Sequence, residues 1–413
     1  MDAPLALPEP RAWPEGLTRV PFWVYQDRDL PEREQARLFQ GPTWNYLCLE
    51  RDIPQPGDWR TTFVGTMPVV VARTQDGSIA AFENRCAHRG ALICFDDAGS
   101  GAKDFTCVYH AWRYDLCGTL RSVAFQRGVN GKGGMPEGFR PEAHGPRKLR
   151  VATLGGLVFG TLSPDTPDLA AYVGPDVLGY LSLVTRRPLE VIGRFTEVLP
   201  NNWKLYAENV RDTYHASLLH TFFTTFKITR LSQGGGVSVS DAGGCHVSKT
   251  IAPPEEAVDT AYEGMRSQKD DFRLADPRLL DWVDEHGDRV QQQIVSVFPN
   301  FVLQRTRNVL ALRHFLPRGT GETDLHWIYL GYADDTPEMR AARLRQINLT
   351  GPAGYVSLED GCIGNFVERG AAAASDQVSI LEMGGAGAES QESRASETAV
   401  RGFWKQWRAT MRL

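Results

Sequence analysis

The 413-residue sequence lacks any surplus of positive charge: 45 Lys and Arg stand against 50 Asp and Glu, a net of −5. Without a basic field there is no electrostatic case for nucleic acid or an anionic membrane surface. It also lacks an apolar run of bilayer length, since MPVVVA and GGLVFG are strand-sized. The opening MDAPLALPEPRAWPEG is Pro-rich, without the charged n-region and apolar core of a secretion signal. Cysteine is sparse and odd in number, seven, which argues against a disulfide framework and for a reducing compartment. The expectation is a soluble cytoplasmic protein. No internal repeat or coiled-coil heptad stands out. The glycine-rich RGVNGKGGMPEGF has no strand ahead of it and no helix behind it, so it is no phosphate cradle. No other stretch offers a nicotinamide or flavin motif.

What is present reads as two units with a lead. Hydrophobic residues make up 42% of the chain, enough for sizeable cores, and the length suits two domains. Residues 1–43 hold the Pro-rich lead and LPEREQARLFQGP, a short helix with Pro31 near its start and Gly41 after its end. Residues 44–162 carry short β-rich runs separated by Gly, Pro and Asp, the pattern of an antiparallel all-β unit. Residues 163–413 mix strands such as QQQIVSVFPNFVLQRTRNVLALRHFLP with helices such as TPEMRAARLRQINL. There SETAVRGFWKQWRATM closes the chain as a helix with Val400, Phe403, Trp404 and Trp407 on one face. MGGAGAESQESRAS reads as a mobile loop. The fold class expected is α+β with antiparallel sheets.

Two Cys/His pairs sit inside the β unit: Cys86 with His88, and Cys107 with His110, 18 residues between them. Buried core residues would explain each singly, but not two such pairs in one small unit. Zinc accepts two thiolates and two imidazoles, yet its usual arms pair like with like. In a Rieske [2Fe–2S] centre one iron takes both thiolates and the other both imidazoles, so each loop supplies one of each. The alternation favours that centre, with zinc the competing reading. Cys48, Cys94, Cys117, Cys245 and Cys362 read as small buried hydrophobes.

The other constellation lies in NWKLYAENVRDTYHASLLH, residues 202–220, which reads as a helix carrying Glu208, Asp212, His215 and His220. Two imidazoles plus a carboxylate with open positions suit non-haem iron. Residues five apart on a regular helix point about 140° away from each other. Both rings reach one ion only if the helix is distorted, for example by a π-bulge. The bland alternative is two polar residues meeting solvent.

Together these residues resemble the large (α) subunit of Rieske non-haem iron ring-hydroxylating oxygenases. CAHRG at 86–90 and CVYHAW at 107–112 match the cluster loops, and Trp112 would shield the cluster. Ala91 and Tyr109 stand where respiratory-type Rieske proteins carry a stapling cysteine pair. NWK at 202–204, then Asp212, Tyr214, His215 and His220, match the catalytic helix, and GPAGYVSLED places Asp360 at the third ligand, with Glu359 its rival. The segment between the cluster arms is slightly long. The spacing from AEN to Asp212 is one residue short, leaving Glu208 and Asn209 to compete for one polar position. The resemblance implies a Rieske domain plus a helix-grip-like catalytic domain, packed with the N-terminal helical segment. It implies one [2Fe–2S] cluster and one mononuclear Fe(II) per chain, with dioxygen as co-substrate. NADH would act indirectly, through a separate ferredoxin and reductase. Asp212 would bridge to the cluster ligand His110 of a neighbouring subunit in an α3β3 assembly with small β subunits. A Rieske electron-transfer protein without oxygen chemistry would leave the second constellation without a purpose.

Within that family the resemblance is nearest to anthranilate 1,2-dioxygenase, with salicylate 5-hydroxylase second, so the substrate expected is an aromatic carboxylate. Anthranilate would yield catechol; salicylate would yield gentisate. In FVLQRTRNVLALRH, strand parity puts Gln304 on the less charged face with Val302 and Thr306, and Arg305, Arg307 and Arg313 on the other. Gln304 is the candidate substrate contact, against the plain alternative of a wet strand residue. The arginines are expected to meet water or a neighbouring subunit.

Overall fold

The computed structural model describes residues 12–254, 259–352 and 354–413; the first eleven residues of the Pro-rich lead lie outside them. Two seven-stranded antiparallel sheets dominate. The first runs in space Asn45–Leu49, Leu157–Thr161, Lys148–Leu154, Ile79–Glu83, Met67–Arg73, Trp59–Val64, Ala98–Gly99. Its strand MPVVVAR is buried on both faces. Val69 and Val71 enter the main core, while Val70 and Ala72 enter a smaller core with Cys86, Cys107 and Trp112. Side chains alternate across a strand, so this run ties the cluster loops to the body of the protein. A small sheet, Phe105–Thr106, Arg113–Tyr114 and Leu120–Ser122, carries the second Cys/His loop.

The second sheet runs Leu189–Leu199, Thr323–Tyr332, Val309–Pro317, Phe301–Thr306, Val290–Val297, His246–Ile251, Gly235–Val239. One face receives the first sheet: Tyr46 packs on Phe301 and His314 with ring centroids 5.2 and 5.5 Å away. The opposite face receives the helix Trp203–Asn209, with Tyr206 lying 5.2 Å from Phe315. Cross-strand partners point the same way, and the register pairs Val302 with Arg313 and Gln304 with Ala311. Arg313 therefore shares the helix-facing side with Gln304. This corrects the expectation that grouped Arg313 with Arg305. Parity does not carry through the two-residue turn Arg307–Asn308, where Arg307 has φ 55° and the chain reverses.

The N-terminal segment is clamped to the catalytic helix by one buried carboxylate. Glu34 accepts from Lys204 Nζ at 2.8 Å, Trp203 Nε1 at 2.8 Å and Trp407 Nε1 at 3.0 Å. Trp407 belongs to the closing helix Thr398–Met411, whose Val400, Phe403, Trp404 and Trp407 are all buried. Residues 383–396, expected to be mobile, are instead pinned without regular structure. Gln391 bridges Val237, and the buried Arg394 guanidinium donates to Thr229 Oγ1 at 2.8 Å and to the Arg230 carbonyl. An arginine that satisfies buried acceptors holds such a stretch in place. Among the described residues no helix is long and apolar enough to cross a membrane.

Candidate metal centres and the adjoining pocket

Cys86 and Cys107 lie buried, while His88 and His110 reach the surface with ring centroids 4.4 Å apart. Two thiols inside and two imidazoles outside is the donor set that a [2Fe–2S] cluster with asymmetric ligation takes. Matching turns build the loops. The N–H of Gly90 (φ 75°) donates to the Cys86 carbonyl at 2.9 Å, and that of Ala111 (φ 53°) to the Cys107 carbonyl at 2.9 Å. Trp112 stacks on His88 at 4.9 Å, consistent with a shield. Sequence reading missed Tyr114. Its Oη accepts from the Ala87 N–H at 3.0 Å, which leaves its own hydrogen to donate to Cys86 Sγ at 3.2 Å. Hydrogen bonds to the sulfurs tune a cluster's potential.

The stretch 202–220 is not one helix. Trp203–Asn209 is capped by Asn202 Oδ1, which accepts from the Lys204 N–H at 3.1 Å. A turn containing Asp212 follows, then Ala216–Leu219; His220, at φ −82° and ψ 88°, breaks the chain before Thr221–Thr225. The distortion takes the form of a break rather than a π-bulge, and it brings the rings of His215 and His220 to 5.3 Å. Thr224 Oγ1 donates to the Ser217 carbonyl at 2.5 Å, occupying an acceptor the break would leave free.

Asp360, on the helix Ser357–Ala372, meets both rings. Its Oδ1 lies 3.4 Å from His215 Nε2 and 3.3 Å from His220 Nε2. Ligands bound at about 2.1 Å on adjacent octahedral positions are roughly 3 Å apart, so the three atoms fit one ion. Glu359 does not join them. Its Oε2 contacts the far nitrogen of His220, Nδ1, at 2.7 Å. Asn209, not Glu208, faces the site: its Nδ2 donates to Asp360 Oδ1 at 3.0 Å. Glu208 turns the other way and accepts from Tyr25 Oη at 2.7 Å and Trp404 Nε1 at 2.5 Å. Asp212 Oδ2 sits 3.1 Å from His215 Nδ1. Electrostatics agree with a cation site. Burial pushes His215 down, but Asp212 and Asp360 outweigh it and raise its pKa to about 10. Burial likewise lowers His220, yet Asp360 and Glu359 bring it above its ordinary value, while the two imidazoles hold Asp360 far below the usual carboxylate range against its own burial. The cavity takes up positive charge, as protons or as a metal ion.

A narrow pocket of about 50 Å³ opens beside this triad, lined among others by Gln292, Gln304, Ser248, Arg313 and Arg394. Gln304 Nε2 donates to Thr306 Oγ1 at 2.9 Å, and its Oε1 is buried without a partner. Arg313 donates from Nη1 to Tyr206 Oη at 2.9 Å and lies over Trp327, leaving Nε and Nη2 buried and unpartnered. Arg394 also has an unpartnered Nε, and burial pushes its guanidinium down to about 10. Sequence reading missed both arginines here: Arg313 was placed on the wrong face, and Arg394 lay in a stretch that carried no periodic signal.

Two family descriptions match this architecture, the Rieske [2Fe-2S] domain over residues 43–131 and the ring hydroxylating alpha subunit (catalytic domain) over residues 187–413. The chain belongs to the Rieske ring-hydroxylating oxygenase α subunits. It is 54% identical to the terephthalate 1,2-dioxygenase terminal oxygenase component subunit alpha 2 of Comamonas sp, covering 95% of each chain. It is 43% identical to the anthranilate 1,2-dioxygenase large subunit of Burkholderia cepacia, over 94% of this chain and 92% of that one. It is 39% identical to the salicylate 5-hydroxylase large oxygenase component of Ralstonia sp, over 98% and 97%. Its fold is similar to that of naphthalene 1,2-dioxygenase from Rhodococcus sp., with TM-score 0.77 at 22% identity over 95% and 94% of the chains. As a ring-hydroxylating oxygenase α subunit, the chain takes a Rieske cluster and a mononuclear iron, and the donor sets described here suit both.

Proposed function

We propose that this α subunit dihydroxylates an aromatic para-dicarboxylate of the terephthalate type. The observation that carries the reading is the pair Arg313 and Arg394, two buried guanidinium groups in the iron pocket with unpartnered N–H groups and, among the described residues, no carboxylate ion pair. A buried cation without an anion is costly, and a substrate that brings two carboxylates relieves both. Ring and carboxylates together match a pocket with few apolar and several polar walls. Anthranilate and salicylate bring one carboxylate each and leave one guanidinium without an anion. The 54% identity to a terephthalate 1,2-dioxygenase subunit supports the same choice.

In this reading Cys86 and Cys107 hold one iron of the cluster, His88 and His110 the other, and His215, His220 and Asp360 hold the mononuclear iron. That iron, when bound, supplies dioxygen activation. The chain does the rest. Arg313 and Arg394 fix the carboxylates, Gln304 contacts the ring substituent, Glu359 orients His220, and Asn209 holds Asp360 by its Oδ1. Asp212 would bridge the two centres by accepting from His215 and from His110 of a neighbouring α subunit, in a ring of three with small β subunits. NADH supplies two electrons through a ferredoxin and reductase. Terephthalate, dioxygen, NADH and a proton give a ring diol dicarboxylate and NAD⁺.

The test is turnover with β subunit, ferredoxin, reductase and NADH on terephthalate, anthranilate and salicylate offered separately. A diol dicarboxylate carrying both atoms of labelled dioxygen supports the reading. Catechol from anthranilate or gentisate from salicylate, with terephthalate unused, overturns the substrate and leaves the iron assignments standing.

A further inference from the structure

We infer that Thr213 is a positioning residue that couples the substrate carboxylate held by Arg394 to the turn carrying Asp212 and His215. The inference rests on the substrate reading above. Thr213 is buried and lies in the turn between Trp203–Asn209 and Ala216–Leu219. Its Oγ1 donates to the backbone carbonyl of Arg394 at 2.7 Å, with the Ser396 carbonyl farther off at 3.2 Å. A hydroxyl has one hydrogen, so the shorter contact dominates. The acceptor therefore belongs to the same residue whose guanidinium lines the pocket.

The segment carrying Arg394 is seated as one tightly packed strap. Gln391 exchanges backbone bonds of 2.7 and 2.8 Å with Val237, and the Val239 N–H donates to Ser390 Oγ at 2.9 Å. It lies against glycines that leave no room beneath it: a Cβ on Gly236 would stand 2.8 Å from the Gln391 carbonyl oxygen, and one on Gly235 3.1 Å from Arg394 Nε. A tightly packed element shifts between discrete positions rather than deforming locally. Engagement of the Arg394 guanidinium by an anion then reaches the Arg394 carbonyl, Thr213, and within two residues both Asp212 and His215. The chemistry gives such a link a purpose. Electrons that arrive before the substrate reduce dioxygen to hydrogen peroxide, taking two electrons and two protons.

The test compares wild type, Thr213→Val and Thr213→Ser, each melted to confirm folding. Terephthalate is added without NADH, and hydrogen exchange is followed over 210–220 and 390–396. In wild type and the Ser variant, ligand protects both segments. In the Val variant protection stays within 390–396. With β subunit, ferredoxin, reductase and NADH, the Val variant also releases about threefold or more hydrogen peroxide per NADH oxidised, in line with loss of one buried hydrogen bond, and the Ser variant recovers. Ligand protection of 210–220 and unchanged peroxide yield in the Val variant overturn the inference while the substrate reading stands. Failure of terephthalate to protect either segment in wild type overturns both. Should the Val variant not fold, Thr213→Ala takes its place under the same two readouts: protection confined to 390–396 with raised peroxide supports the role of the hydroxyl, and wild-type behaviour refutes it.

Discussion

Arg313→Met separates stability from binding, with opposite signs. In the ligand-free protein Arg313 keeps Nε and Nη2 buried without partners, and its favourable contacts are the Tyr206 hydroxyl and the Trp327 ring. Each unpartnered donor costs about 1–3 kcal/mol, whereas the hydrogen bond and the stacking return about 1 kcal/mol each. Methionine fills similar space with no polar atom; at about 2 kcal/mol for each of the two donors against about 2 kcal/mol returned in all, the ligand-free variant gains about 2 kcal/mol. Terephthalate binding moves the other way. Losing a charge-assisted contact to a carboxylate costs about 3 kcal/mol, a rise in Kd of roughly a hundredfold. At a ligand concentration of about 100 times the wild-type Kd, wild type gains about 2.7 kcal/mol, while the variant gains only a few tenths. Thermal melts with and without terephthalate read both effects, and the two proteins exchange rank when ligand is added. A variant less stable than wild type without ligand shows the guanidinium to be satisfied already. An undiminished ligand shift shows the carboxylate to sit elsewhere.

Three further predictions concern the metal site and its support. Glu359→Ala should weaken mononuclear iron binding about tenfold or more by freeing His220 Nδ1, with Glu359→Gln intermediate; iron content against chelator concentration reads this, and equal retention in all three proteins would remove Glu359 from the site. Asp212→Asn should leave the cluster iron unchanged and lower turnover per retained mononuclear iron by about a hundredfold, measured beside the reduction rate of the cluster; unimpaired turnover refutes the bridge. Glu208, raised by burial to about 7 despite donors from Tyr25 and Trp404, governs a pH effect. Its folded pKa exceeds the unfolded value of about 4.3, so its contribution is fully present below that value and is lost as pH rises through 7. Glu208→Gln should therefore flatten a decline of about 3 kcal/mol between pH 5 and 8, as read by denaturant melts; parallel curves for the two proteins would place the titration elsewhere.

The cluster loops were legible because their information is local. Cys86, His88, Cys107 and His110 each sit on a short turn between strands, and alternation of residue type along the chain already states which iron each would hold. The alternation in MPVVVAR and the apolar face of Thr398–Met411 were legible for the same reason, since period 2 and period 3.6 are written into the order of residues. His215, His220 and Asp360 were nameable by type and by resemblance, but the five-residue spacing of His215 and His220 on a regular helix contradicts a shared ion.

Tertiary structure decided what distance along the chain conceals. It broke the helix at His220, because backbone groups released there find partners such as the Thr224 hydroxyl, and it brought Asp360 across to both rings. It turned Asn209 inward and Glu208 toward Tyr25 and Trp404, a choice between adjacent residues that a missing position in the spacing left open. It set Arg313 beside Gln304 through the register of a hairpin, and fastened Arg394 into the pocket from a stretch with no periodicity. Residue types, their alternation and the candidate donor sets for two iron centres were thus legible in the sequence alone. Which cations line the pocket was decided by cross-strand register and by long-range hydrogen bonds, because both depend on contacts between segments far apart in the chain.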